Sequence, residues 1–134
     1  MKLSELINEA TDVEIAVVPE SNIDGSVSWF VYIINIGEQI ITNVIIQSSG
    51  EGEIDAWPVK SSVLKHFMDE ILPGNFAKVE MLIEDVFILK NNYWVSFYKD
   101  AIIFDKQFFF APNSIAVEKC VEIPSLNLKG IFAK

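Results

Sequence analysis

The sequence predicts a mainly β, antiparallel two-layer β-sandwich occupying one domain over residues 1–134. Three observations carry that prediction. Short runs of β-branched and aromatic residues recur along the chain, several with period-two alternation. Turn signals built from Gly, Pro, Asn and Asp separate them at regular intervals. Helical periodicity is confined to one main segment, so helices do not alternate with strands as a parallel α/β fold requires. A chain that is 51% hydrophobic and holds 10 Phe, 3 Tyr and 3 Trp is too apolar for disorder and long enough to bury a core.

The elements follow in order. "LSELINEA" near the start predicts a short helical turn with Leu3, Leu6 and Ile7 facing inward. "TDVEIAVVPE" sets Val13, Ile15 and Val17 against Asp12, Glu14 and Ala16, a half-buried strand stopped by Pro19. "SNIDGS" is a turn. "WFVYIINIGEQIITNVIIQSSG", Trp29 to Gly50, is the most apolar stretch. A membrane helix needs roughly 20 uninterrupted apolar residues, and Asn35 and "GEQ" at Gly37–Gln39 interrupt this one. Its β-branched content predicts two core strands joined as a hairpin.

In "SSVLKHFMDEIL", Val63, Leu64, Phe67, Met68, Ile71 and Leu72 recur at the spacing of one helical face. The spacing predicts an amphipathic helix near residues 62–72, capped by Ser61 or Ser62 and ended by Pro73–Gly74. "NFAKVEMLIEDVFIL" alternates Phe76, Lys78 and Glu80 against Ala77, Val79 and Met81. "NNYWVSFYKDAIIFDKQFFFAP" is an aromatic hairpin turning at Lys99–Ala101, and "SIAVEKCVEI" is a further alternating strand ended by Pro124.

The segment "VYIINIGEQIITNVIIQSSG" resembles immunoglobulin-like modules of bacterial proteins, in which a strand ends in Asn-x-Gly and the next begins with Asn-Val. Asn35, Gly37, Asn43 and Val44 occupy those places. The resemblance covers Val31–Gly50 and implies an immunoglobulin-like sandwich in a small bacterial protein; it implies no particular activity.

Charge narrows the function classes. Nineteen acids face ten bases, every base is a lysine, and the net charge is −9. Residues 1–59 hold ten acids and only Lys2. Without arginine there is no bidentate fork for phosphate or guanine, and the field repels nucleic acid and anionic lipid. Neither a nucleic-acid nor a membrane partner is expected. "MKLSELINEA" reads as a mature cytoplasmic start, and the lone Cys120 agrees with a reducing compartment.

Chemistry-bearing motifs are sparse. There is no glycine-rich phosphate loop, nucleophile elbow or dinucleotide fingerprint, and no cofactor is implied. His66 is the sole histidine, and Cys120 is flanked by Glu118 and Glu122, which disfavour a thiolate. A surface-edge imidazole and a strand cysteine are the expectation, with no catalytic residue assigned. Glu51, Glu53 and Asp55 share one strand face and are the candidate metal ligands, together with Asn22 and Asp24; a solvated acidic edge that deters aggregation is the commoner use of such a pattern. Glu84–Asp85 is the best adjacent carboxylate pair, but neighbours on a strand point to opposite faces.

Consecutive Phe108, Phe109 and Phe110 load both faces of a strand, as do Ile33–Ile34 and Ile40–Ile41. A sandwich needs one apolar face per sheet, so the surplus must be covered by the helix, the termini or another chain. The expectation is a non-catalytic module acting through protein–protein contact, above all self-association, with Phe108, Phe109, Phe110, Trp94 and Tyr98 as interface residues. The alternative is a small-ligand binder or minimal enzyme with an aromatic and acidic pocket under the helix.

Overall fold

The structure, a computed structural model, describes residues 8–134; the expected helical turn at Leu3–Ile7 lies outside them. The described chain is mainly β, with eleven strands in two sheets and no α-helix. The strands are β1 (Asn8–Glu9), β2 (Val13–Ser21), β3 (Val27–Asn35), β4 (Ile41–Ile54), β5 (Trp57–Lys60), β6 (Leu64–Ile71), β7 (Phe76–Leu82), β8 (Lys90–Lys99), β9 (Ile102–Phe110), β10 (Val121–Ile123) and β11 (Leu128–Phe132). The first sheet runs β1-β9-β8-β4, with β5 and β6 both on the far edge of β4; the second runs β10-β11-β2-β3-β7.

The sheets face each other across one core, the arrangement of a β-sandwich. Val13, Ile15, Val17, Trp29, Val31, Ile33 and Leu82 from the second sheet meet Ile41, Val44, Ile46, Tyr93, Val95, Phe97, Phe108 and Phe110 from the first. Each such side chain, fully buried, contributes roughly 1.5–3 kcal/mol by leaving water.

Four sequence expectations are corrected. Trp29–Gly50 does hold two core strands, but they do not pair with each other. β3 pairs with β2 and β7, while β4 pairs with β5, β6 and β8, so Ile36–Ile40 crosses between sheets. Asn35 fastens the crossing: its Nδ2 donates to Gln39 O (2.9 Å) and Ile71 O (3.0 Å), and its Oδ1 accepts from Gly37 N–H (3.0 Å).

The second correction concerns residues 62–72, which form no helix. β4 turns at Asp55–Ala56, where both residues have positive φ (52° and 67°), and the chain returns antiparallel along β4 as β5 and then β6. Positive φ at both central positions is the geometry of a two-residue hairpin turn whose twist matches the strands. Ile41↔Ile71 through Ser48↔Leu64 then pair in register. Helix spacing is a weak prior, and here the exposed edge of β4 supplies backbone partners that a surface helix would have to find within itself. The break between β5 and β6 is pinned by Ser61: its N–H donates to Gly50 O (2.8 Å), and its Oγ accepts from Gly50 N–H (2.6 Å).

β2 runs through Pro19 rather than stopping there, because β11 pairs with β2 only at Ala16 and Val17 and leaves that edge free beyond them. The aromatic hairpin is present as β8 and β9, turning at Asp100–Ala101, both with positive φ. "SIAVEKCVEI" is a 3-10 turn at Val117–Lys119 followed by the three-residue β10, not one strand.

The surplus apolar face of the second sheet is sealed from within. Ala16, Val18, Tyr32 and Ile34 point away from the main core and bury against Ile123 and Leu126 of the β10–β11 hairpin. Gly130 allows that fold-over: a Cβ there would lie 2.5 Å from Val17 O and 2.7 Å from Ile123 Cδ1. The last residues also close one flank of the sandwich. Ala133 N–H bonds Ile15 O in the second sheet, and Lys134 exchanges backbone bonds with Phe109 in the first. On the opposite flank, β7 faces β6 across an open cleft.

Candidate functional site

Glu80 occupies that open flank because of a bulge. β7 pairs with β3 as Ile34↔Phe76, Ile33↔Ala77 and Tyr32↔Lys78, then slips so that Val31 opposes Glu80 and Val79 has no partner. The extra residue turns Glu80 toward the inner face beside buried Val79 and sends Met81 outward, reversing the alternation expected from the sequence.

Three donors from the first sheet receive the carboxylate. Ser48 Oγ (β4) donates to Oε1 at 2.7 Å, Tyr93 OH (β8) donates to Oε2 at 3.1 Å, and His66 Nε2 (β6) lies 2.8 Å from Oε1. An ionised carboxylate only accepts, so the shared proton sits on Nε2. The Glu80 side chain is 11% exposed and that of His66 29%, so the contact forms at the lip of the flank rather than in the core. Burial, and next the charge of Glu80, push the Tyr93 phenol well above its ordinary range, so Tyr93 is a fixed donor.

Beside this cluster lies a cleft of 270 Å³ lined by Ser48, Ser62, Glu80 and Tyr93 on its polar side and by Leu64, Met81, Leu82, Ile83 and Val86 on its apolar side. The arrangement holds an anion and a hydrophobic wall together. It is not a Ser-His-acid triad: Ser48 donates to the carboxylate and not to the imidazole.

The residues singled out from sequence scatter. His66 is paired with Glu80, while the half-buried Cys120 has Ala116 O as its contact at 3.8 Å. Burial and then Glu118 raise the Cys120 thiol above its ordinary value, the direction that disfavours the thiolate. Glu51 and Glu53 are exposed on β4, and Asp55 sits in the positive-φ turn; among the described residues no three such side chains are placed to hold a metal ion. Glu84 and Asp85 are exposed in a 3-10 turn. Sequence reasoning passed over Ser48, Glu80 and Tyr93. The phase of inward residues, Ala77, Val79 and then Leu82, carries a one-residue slip that could have revealed the bulge.

The five proposed interface residues divide between the two faces of the first sheet. Phe108 and Phe110 are in the core, whereas Trp94 and Tyr98 are exposed on the outer face and Phe109 is half-buried under the Lys90 ammonium, 4.6 Å from its ring centroid. Registration puts Phe67 directly opposite Ile45 and places Trp94 and Tyr98 diagonally across from Ile45 on β8. These four are 61%, 45%, 45% and 40% exposed. Trp94 Nε1 donates to Asp105 Oδ2 at 3.1 Å, which satisfies the indole N–H and leaves the ring itself uncovered.

No described helix is long and apolar enough to cross a membrane. No family model, curated protein or solved structure matches the chain.

Proposed function

We propose that the protein is a non-catalytic, immunoglobulin-like β-sandwich module that works through protein–protein contact, with a second copy of itself as the occupant of the outer face of the first sheet. One observation carries the reading: of the two surplus apolar faces, the second sheet's is sealed by the β10–β11 hairpin, while Phe67, Ile45, Trp94 and Tyr98 of the first sheet stay uncovered side by side. Four strands, β6-β4-β8-β9, make that face roughly 15 Å wide, and roughly eight paired residues make it about 25 Å long. Exposed apolar clusters rimmed by polar residues mark interaction sites, and aromatic residues are enriched at their centres.

Charge favours a like partner there. The chain as a whole is strongly acidic, yet this face carries Lys65 and Lys90 beside Glu51, Asp69 and Asp105, a mixed set that a twofold arrangement can pair. One local feature agrees with the Asn-x-Gly pattern: at the β3–β4 crossing Asn35 Oδ1 accepts from Gly37 N–H.

Sedimentation equilibrium across a hundredfold concentration range tests the proposal. A reversible dimer that Trp94→Glu or Phe67→Glu converts to monomer is the expected result. A strict monomer at the highest concentration overturns it.

A further inference from the structure

The cleft on the open flank has its own chemistry, separate from the outer face. We propose that it binds a small apolar primary amine as the ammonium ion. The Glu80 carboxylate is the recognising group. A carboxylate offers about four lone-pair sites; Ser48 and His66 share Oε1, and Tyr93 takes one position on Oε2, leaving a position open on Oε2. Those three donors hold the carboxylate in one orientation, so a ligand meets an acceptor that is already positioned.

The rest of the cleft selects for the same class. None of the described residues lining it is a lysine, the chain contains no arginine, and His66 is already paired with Oε1, so a cation at Oε2 meets no competing ammonium. Leu64, Met81, Leu82, Ile83 and Val86 form an apolar wall that would strip water from a hydrocarbon body. The Ser62 residue at the rim is exposed and adds a hydroxyl within the same lining. The volume of 270 Å³ suits a molecule the size of a substituted benzene rather than a nucleotide or a sugar chain. A net charge of −9 raises the local concentration of cations and disfavours acids of equal size.

The position of Glu80 strengthens the argument. An inward acid on an edge strand costs desolvation, and alternation alone would have left it in solvent. The bulge at Val79 instead aims it at the flank opposite the one that Ala133 and Lys134 close.

The test titrates the full chain at neutral pH with benzylamine, benzyl alcohol and benzoate in turn, following backbone amide shifts. Benzylamine is expected to give saturable shifts centred on Ser48, Leu64, Glu80 and Tyr93, with benzyl alcohol at least tenfold weaker and benzoate without effect. Glu80→Gln is expected to weaken benzylamine at least tenfold and bring it level with the alcohol. Leu64→Trp, which fills the cleft and leaves the Ser48, His66 and Tyr93 contacts intact, is expected to abolish binding of both. The proposal is overturned by the absence of saturable benzylamine shifts, by equal binding of amine and alcohol to the unaltered chain, or by unchanged binding in Leu64→Trp.

Discussion

Glu80 Oε1 lies 2.8 Å from His66 Nε2, and the two residues belong to different sheets, so their contact ties the sandwich together across its open flank. Tyr93, almost completely buried, depends on the same carboxylate for its hydroxyl. Glu80→Ala would leave that hydroxyl unpaired and should cost about 2 kcal/mol in chemical denaturation. Tyr93→Phe in the Glu80→Ala background should then cost much less than Tyr93→Phe alone, because the group that needs a partner is gone. Additive effects in this cycle would show that the two side chains do not interact.

Alkaline pH should weaken the fold through Tyr93. The unfolded phenol loses its proton around the ordinary 10.0, whereas burial and the adjacent Glu80 charge hold it on in the folded protein. The folded state therefore binds more protons above pH 10, so this contribution is complete below pH 10 and declines as pH rises beyond it. Tyr32, raised by burial and by its bond to Glu20, acts in the same direction. Thermal midpoints measured from pH 9 to 11.5 should fall, and Tyr93→Phe should show a shallower fall. An unchanged slope in that variant would contradict the assignment.

Asn35 should be among the costliest polar positions to replace. It is fully buried and serves Gly37 N–H, Gln39 O and Ile71 O, groups of the β3–β4 crossing and of the end of β6. Asn35→Ala strands all three and should destabilise by about 3 kcal/mol. Asn35→Asp keeps the acceptor for Gly37 but loses both donated bonds, so its denaturation midpoint should also fall well below that of the unaltered chain.

Gly130→Ala tests whether the C-terminal hairpin seals the second sheet. The added methyl would collide with Val17 O, a backbone atom that cannot move without opening β11 from β2. A loss of about 3 kcal/mol is expected, with faster amide exchange at Ile131 and Phe132 and increased binding of a hydrophobic dye as Ala16, Val18 and Ile34 are uncovered. Unchanged dye binding would place the seal elsewhere.

Local sequence determined that this chain is β-rich, because β-branched alternation and turn residues act over a few positions at a time. It marked the aromatic β8–β9 hairpin and its turn, and it marked Ile33–Ile34 as loading both faces of a strand, the second of which the β10–β11 hairpin covers. Long-range pairing decided the rest. Residues 62–72 carry helical spacing yet become β6, because the turn at Asp55–Ala56 delivers them in register against β4. The strands of Trp29–Gly50 separate into different sheets because β3 pairs with its neighbour β2 and with β7, while β4 pairs with β6 and the distant β8. Glu80 meets His66, Ser48 and Tyr93 only because a one-residue slip against β3 reverses its face. Such a slip is settled by how two strands fit together, and neither strand holds that information alone.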